Sequence, residues 1–299
     1  MTTLHRLLPA LLLAAAAAQA QDPPPDPVDA LRQRLAERLS APGDGELTVR
    51  TAPQAGARAD KPARPGRPAA GAAARWSYGG DTGPAHWAAL APENGLCASG
   101  TRQSPIDIRD GLAVDLEPIA FDYRPGAFTV LDDGHTVRVT PAAGSGLTVM
   151  GRRYELTQFH FHRPSEERVD GRAFEMVAHL EHQDAQGRQA IVAVLLERGP
   201  DDRPQPLVQT VWAHLPLERG EALAAPVPLD PARLLPADRG YYTYMGSQTT
   251  PPCQEGVLWM VMREPVPLTA QQIDVFARLY PMNARPLQAT SGRLIKQSQ

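Results

Sequence analysis

The segment Gln158-Phe159-His160-Phe161-His162 decides how the rest of the chain is read. Alternate side chains of a β-strand share a face, so Gln158, His160 and His162 are expected to point one way and Thr157, Phe159 and Phe161 the other. One face then offers ligands and the other is core. Two imidazoles two residues apart on a stiff strand lie about 7 Å apart at their Cα atoms, near enough for both rings to converge on one ion. A third, His179 in Phe174-Glu175-Met176-Val177-Ala178-His179-Leu180, would complete the set from a neighbouring strand. Three neutral imidazoles with a fourth position open is the arrangement of a catalytic zinc site, since structural sites are usually closed by four protein ligands, mostly Cys. A lone His-x-His is weak evidence, because strand histidines are more often surface or hydrogen-bonded core residues. The flanking segments must carry the rest.

Working outward, the chain has 299 residues, a net charge of −3, ordinary hydrophobic content and 31 prolines. That suits one globular domain plus non-globular segments. No basic excess argues for a nucleic-acid partner. Residues 1–20 read as a signal peptide: His5 and Arg6 in the n-region, an apolar run from Leu7 to Ala17, and Ala18-Gln19-Ala20 as the cleavage site. The run is too short to span a bilayer. No cysteine directly follows the cut, so the mature chain is expected to be soluble and periplasmic or secreted, without stable membrane insertion; the alternative is a short N-terminal anchor helix. Residues 21–75 form a Pro/Ala-rich arm without the apolar content to bury a core, expected to be disordered or extended. Within it, residues 28–39 place Val28, Leu31, Leu35 and Leu39 on one helical stripe. This is either a small helix for homo-oligomerisation or a marginal helix in a flexible arm.

The folded domain is expected over residues 76–299. Short β-branched or alternating runs at 128–131, 136–139, 147–149, 190–196 and 257–262 are separated by Gly, Pro and Asp, which predicts a mainly β domain with a few helices. One helix is expected at 206–215. Another follows Thr269, which forms a capping box with Gln272, with Ile273, Phe276 and Leu279 as its buried stripe and Pro281 as its stop. Cys97 and Cys253 are far apart and lack a Cys-x-x-Cys partner, which suggests one disulfide in an oxidising compartment rather than metal ligands; two free buried thiols are the alternative.

Taken together, Trp76-Ser77-Tyr78-Gly79, Gln103-Ser104-Pro105-Ile106-Asp107-Ile108, Gly134-His135, the segment 158–162, Ser165-Glu166, His179, Tyr244 with Gly246 to Pro252, and Asn283-Ala284-Arg285-Pro286 resemble the α-class carbonic anhydrases, of the exported bacterial type. They fall in the family's order from Trp76 to the C-terminus. The resemblance implies a single large twisted, mostly antiparallel sheet with zinc at the bottom of a cone-shaped cavity, and reversible hydration of carbon dioxide to bicarbonate and a proton. It assigns Zn2+ to His160, His162 and His179. Zinc on three neutral imidazoles lowers the pKa of bound water from roughly 16 to about 7, so that hydroxide is available as the nucleophile at neutral pH. By the same resemblance Thr249 accepts the hydroxide's hydrogen bond and donates its own proton to Glu166, which orients the attack. Thr249, Thr250, Ile191 and Trp259 would line the substrate cavity, and Gln158 would accept a ring N–H of His160. His135 matches the family's proton-shuttle histidine, a group able to pass a proton near neutrality; a solvent-exposed turn histidine would look the same in sequence. Tyr78 and Asp133 would help order the intervening water, Asp133 standing where many members carry an amide. His86, His182 and His214 read as structural or surface residues.

Two other classes compete. His160, His162 and Glu166 fit a cupin spacing, but a cupin wants glycine where this chain has Tyr154, and no second Gly/Pro/His motif follows. A non-enzymatic exported zinc-binding protein would keep the histidines and have no need of Thr249 and Glu166. The chain also departs from the family around the third ligand. An acidic residue two positions before it is replaced by Val177, and an apolar wall residue two positions after it by Glu181. A carboxylate facing an apolar pocket is costly to desolvate. One expectation is therefore that Glu181 takes the missing role and accepts the free ring N–H of His179; the competing one is that a bulge turns Glu181 to solvent.

Overall fold

The computed structural model describes residues 76–299, so the expected signal peptide, the arm and the stripe at 28–39 lie outside the described residues. Nearly all strands join one mixed, mostly antiparallel sheet of 13 strands. Four at its middle carry the argument: β1 (Arg152–His162), β2 (Met176–Gln183), β3 (Gln189–Arg198) and β4 (Glu255–Met262). β1 and β2 are antiparallel, as are β2 and β3, whereas β3 and β4 run parallel. The sheet continues from β1 through Val137–Pro141 and from β4 through Tyr241–Ser247. Residues 190–196 of β3 are buried on both faces, which is why that strand reads as an unbroken apolar run.

The two faces of this sheet bury different things. Phe159, Phe161, Ala178, Leu180, Val192 and Val194 point into the main core, under α1 (Pro206–Ala213) and α2 (Ala270–Leu279). Fully burying each aromatic there is worth roughly 1.5–3 kcal/mol. Val177, Ile191, Ala193, Leu195 and Trp259 form a second cluster on the other face with Ile106 and Ile108. The capping box at Thr269 and Gln272 is present, and α2 ends at Leu279, before Pro281. Its buried stripe is corrected in one position. Leu279 is 38% exposed, and Tyr280, just past the helix, is buried in its stead. Ile273, Phe276 and Tyr280 keep the i, i+3, i+7 spacing of one helical face, which Leu279 does not.

A second correction concerns β1. Leu156 pairs with His182 and Gln158 with Glu181, leaving Thr157 as an extra residue. This bulge puts both Thr157 and Gln158 on the outward side, so Thr157 does not share the core face of Phe159 and Phe161. It also lets Tyr154 and Leu156 reach the same core as Phe159 and Phe161, which strict alternation forbids.

Cys97 and Cys253 are bonded, with their Cα atoms 5.1 Å apart. The bond ties the loop after Ser247 to the start of the domain. Ser104 and Ser247 reinforce it: each backbone N–H donates to the other's hydroxyl, at 2.9 and 3.2 Å. Gly246 is required there, since a Cβ would lie 2.2 Å from the Ser104 hydroxyl. No helix among the described residues is long and apolar enough to cross a membrane.

Candidate metal centre

His160 and His179 are direct cross-strand partners in the β1–β2 register, and His162 is two residues further along β1. All three are buried, and one nitrogen from each falls within 4.8 Å of the others. What the remaining nitrogens do decides whether a metal fits. His160 Nδ1 meets Gln158 Oε1 at 3.2 Å, His162 Nδ1 donates to the Asn283 carbonyl at 2.7 Å, and His179 Nε2 meets Glu167 Oε2 at 3.1 Å. Each acceptor fixes a tautomer and leaves a lone pair on the opposite nitrogen. The free set is therefore Nε2 of His160, Nε2 of His162 and Nδ1 of His179. His162 Nε2 is buried without any hydrogen-bond partner, as expected of an atom meant for a cation. Three such nitrogens suit a borderline-soft divalent ion with an open fourth position.

The electrostatics around them are those of neutral groups. Burial pushes His162 down to about 4 and His179 down to about 3, and it pushes Glu166 up to about 7 and Glu167 up to about 8. The close approaches of Glu166 Oε2 to His162 Nε2, 3.5 Å, and to His179 Nδ1, 3.8 Å, are thus not ion pairs without a metal. A bound cation would favour the ionised carboxylates. Glu166 Oε1 accepts the backbone N–H of Arg285 at 2.7 Å, and the Thr249 side chain hydrogen-bonds the same carboxyl.

The other expected residues fall as follows. Ile191, Thr157, Glu181 and Gln248 share a cavity of about 220 Å³. Trp259 is fully buried and stands edge-on to His179 at 5.0 Å, so it backs the wall rather than surfacing it. Thr250 is partly buried. Glu181 corrects both expectations made for it. It is neither the partner of His179 nor turned to solvent: its side chain is 28% exposed, hydrogen-bonds Gln158 and lies 3.7 Å from His160 Nδ1. Its carboxyl is raised by burial, an effect its bond from Gln158 opposes.

His135 is 28% exposed at its side chain. Its ring stacks on Trp76 at 3.7 Å, and its Nε2 donates to the Trp76 carbonyl at 2.9 Å. Tyr78 stands 5.2 Å ring to ring from Trp76 and 6.4 Å from His162. Asp133, expected to order water, is committed elsewhere. It accepts the backbone N–H groups of His135 and Thr136, both at 2.9 Å, and pairs with Arg138 at 2.6 Å, so it shapes the turn that carries His135. His182 contacts the Tyr123 hydroxyl at 2.8 Å and His214 donates to the Thr210 carbonyl, as structural residues do.

Sequence reasoning missed three supporting residues. Asn283 uses its carbonyl for His162, its Oδ1 for the Arg163 N–H and its Nδ2 for the carbonyls of His135 and Phe161. Arg285 reaches Gln103 Oε1 and the carbonyls of Ser104 and Cys97. Glu167 was passed over beside Glu166. The signal available for the first two was an Asn-x-Arg-Pro segment quoted only as a motif; for Glu167 there was none.

The comparisons with known proteins fit this geometry. The model of the family described as eukaryotic-type carbonic anhydrase matches residues 82–299. A carbonic anhydrase of Pectobacterium carotovorum is 36% identical over 221 residues, 74% of this chain and 89% of that protein. One from a Nostoc species is 37% identical over 234 residues, 76% and 88% of the two chains. The structure of the α-carbonic anhydrase of Thermovibrio ammonificans, in complex with the inhibitor sulfanilamide, superposes with a TM-score of 0.71 at 38% identity, covering 75% of this chain and 99% of that one. A cupin does not account for matches of this extent. With the three-histidine centre in the middle of the matched region, the chain belongs to the α-class carbonic anhydrase family and is an enzyme, a carbonate dehydratase.

Proposed function

We propose that the protein hydrates carbon dioxide reversibly to bicarbonate and a proton with zinc as its metal, in an exported, oxidising compartment. The observation that carries this reading is the convergence of three free imidazole nitrogens beside the Thr249–Glu166 pair. His160 and His162 would hold zinc through Nε2 and His179 through Nδ1. The chemistry zinc supplies at such a site is a water whose pKa falls to about 7.

The chain's own residues do the rest. Thr249 donates a hydrogen bond from its hydroxyl to Glu166, and its oxygen is left to accept from the reacting water and fix the direction of attack. Glu166 is itself held by the Arg285 N–H. Ile191 offers the apolar part of the wall for carbon dioxide, with Thr250 and Trp259 around it. His135 takes the proton outward: with Nε2–H given to Trp76, its Nδ1 is free to accept. The position of Tyr78 between Trp76 and His162 supports a water-mediated path. The Cys97–Cys253 bond supports the oxidising compartment.

Stopped-flow hydration on zinc-loaded and chelated protein tests the metal, with His135→Ala measured in dilute buffer. Activity should vanish on chelation and return with zinc. The variant should be slow at low buffer and partly rescued by imidazole. Activity indifferent to chelation would end the zinc reading, and equal rates at low buffer would give the proton to another group.

A further inference from the structure

The three ligand histidines are held by unlike acceptors. His160 is held by an amide and His162 by a backbone carbonyl, but His179 is held by a carboxylate, that of Glu167 at 3.1 Å. Glu167 does not come from the strand of its ligand. The position on β2 with the same facing as His179, two residues before it, is Val177, fully buried among Ile106, Ile191, Leu195 and Trp259. The carboxylate arrives instead from the segment between β1 and β2.

That segment is built to deliver it. The Ser165 hydroxyl donates to the Glu167 carbonyl at 2.8 Å and accepts the Phe174 N–H at 2.9 Å, and the Ser165 N–H donates to the Phe174 carbonyl at 3.1 Å. Glu167 is wholly buried, and among the described residues no Lys or Arg nitrogen comes within ion-pair reach of it. A carboxyl group buried without a basic partner is costly unless something local compensates. Among the described residues, the only side chain it hydrogen-bonds is His179.

We propose that Glu167 is the positioning residue of the third metal ligand, standing in for the carboxylate that Val177 removes from β2. By accepting from Nε2–H it holds His179 in the tautomer whose Nδ1 faces the other two rings, and its charge makes that nitrogen a stronger donor to a cation. The inference rests on zinc being held by the three histidines.

The test uses Glu167→Gln, Glu167→Ala and the relocated pair Glu167→Ala/Val177→Glu. Zinc affinity is read by chelator competition, the cobalt-substituted spectrum reports ligand geometry, and the melting temperature of each metal-free protein controls for folding. Glu167→Gln should lose about tenfold in zinc affinity and Glu167→Ala up to about 100-fold. Neither should lower the metal-free melting temperature, and the relocated pair should recover affinity and the parent's cobalt spectrum. Unchanged affinity in both single variants overturns the proposal. So does a lowered metal-free melting temperature with unchanged affinity per folded molecule, which would make Glu167 structural. A parent protein that takes up no zinc at all is a different failure: it removes the metal reading itself, and this inference with it.

Discussion

β1 and β2 carry two chemistries on opposite faces. Toward the helices, Phe159, Phe161, Ala178 and Leu180 are satisfied by contact alone: any apolar neighbour of the right volume serves, and neighbours come from the adjacent strands and α1. Toward the other face, His160, His162 and His179 each need one particular acceptor, and those come from Gln158 nearby, from Glu167 in the next segment and from Asn283 near the chain's end. Packing is thus a local and forgiving requirement, while the polar face is specified one atom at a time.

The largest expected effect lies on the polar face. His179→Ala should abolish hydration activity and stoichiometric zinc binding, because two imidazoles cannot hold the ion in an open tetrahedral site. The fold should persist, since the cluster with Val177, Ile191 and Trp259 remains. Undiminished activity would break the contrast altogether. On the core face the prediction is inverted. Phe159→Ala, at a fully buried position, should cost about 3–5 kcal/mol in denaturant unfolding while the molecules that remain folded bind zinc as before. If zinc affinity fell in step with stability, the two faces would not be separable.

The same contrast explains what the sequence made legible. The core face and the ligand face of β1 follow from period-two alternation, and the capped helix after Thr269 from its local signature. The bulge at Thr157 left a trace that alternation alone overlooks: Tyr154 and Leu156 have one parity and Phe159 and Phe161 the other, so a core containing all four needs an extra residue between them. Asn283 sits 121 residues from His162, a separation at which no periodicity speaks. Glu167 was hidden for a physical reason. In Ser165-Glu166-Glu167-Arg168 it reads as one of a charged run, which normally faces water, and only the folding of that segment against His179 shows it buried.

An intermediate effect concerns pH. In the metal-free protein Glu166 and Glu167, raised to about 7 and about 8, hold protons that the unfolded chain, with carboxyls near 4.3, has released. Their contribution to stability is complete below about 4.3 and is lost as pH rises through 7 and 8. The buried histidines run the other way. His162, His179 and His182, lowered to about 4, about 3 and about 3, contribute stability that is full above about 6.5 and lost as pH falls toward those values. Above about 6.5 only the carboxyls act, so the metal-free melting temperature should drop by roughly 5 °C between pH 6.5 and 8. Zinc should flatten that arm, because a cation favours the ionised carboxylates. His182, on the core face, has already reached its full contribution above about 6.5 and does not oppose this. A metal-free protein whose melting temperature is level from pH 6.5 to 8 would show that the carboxyls are not held protonated.

The smallest effect is expected at Glu181, which lines the cavity on the polar face yet does not itself hold a ligand. Its carboxylate accepts from the Gln158 side chain, whose Oε1 in turn faces His160 Nδ1, so Glu181 stands one hydrogen bond further from the metal than Gln158 does. Groups that hold a ligand directly are worth about 10–100-fold in metal affinity. A group acting through one of them should give less. Glu181→Gln keeps the shape of the side chain and retains an oxygen to accept from Gln158, so zinc affinity in a chelator-competition titration should fall by less than about tenfold. The cobalt-substituted spectrum should be unchanged, because Gln158 still holds the ring of His160. A loss near 100-fold would instead place Glu181 among the direct supports of the ligands, and the difference between Gln158 as holder and Glu181 as holder of the holder would disappear.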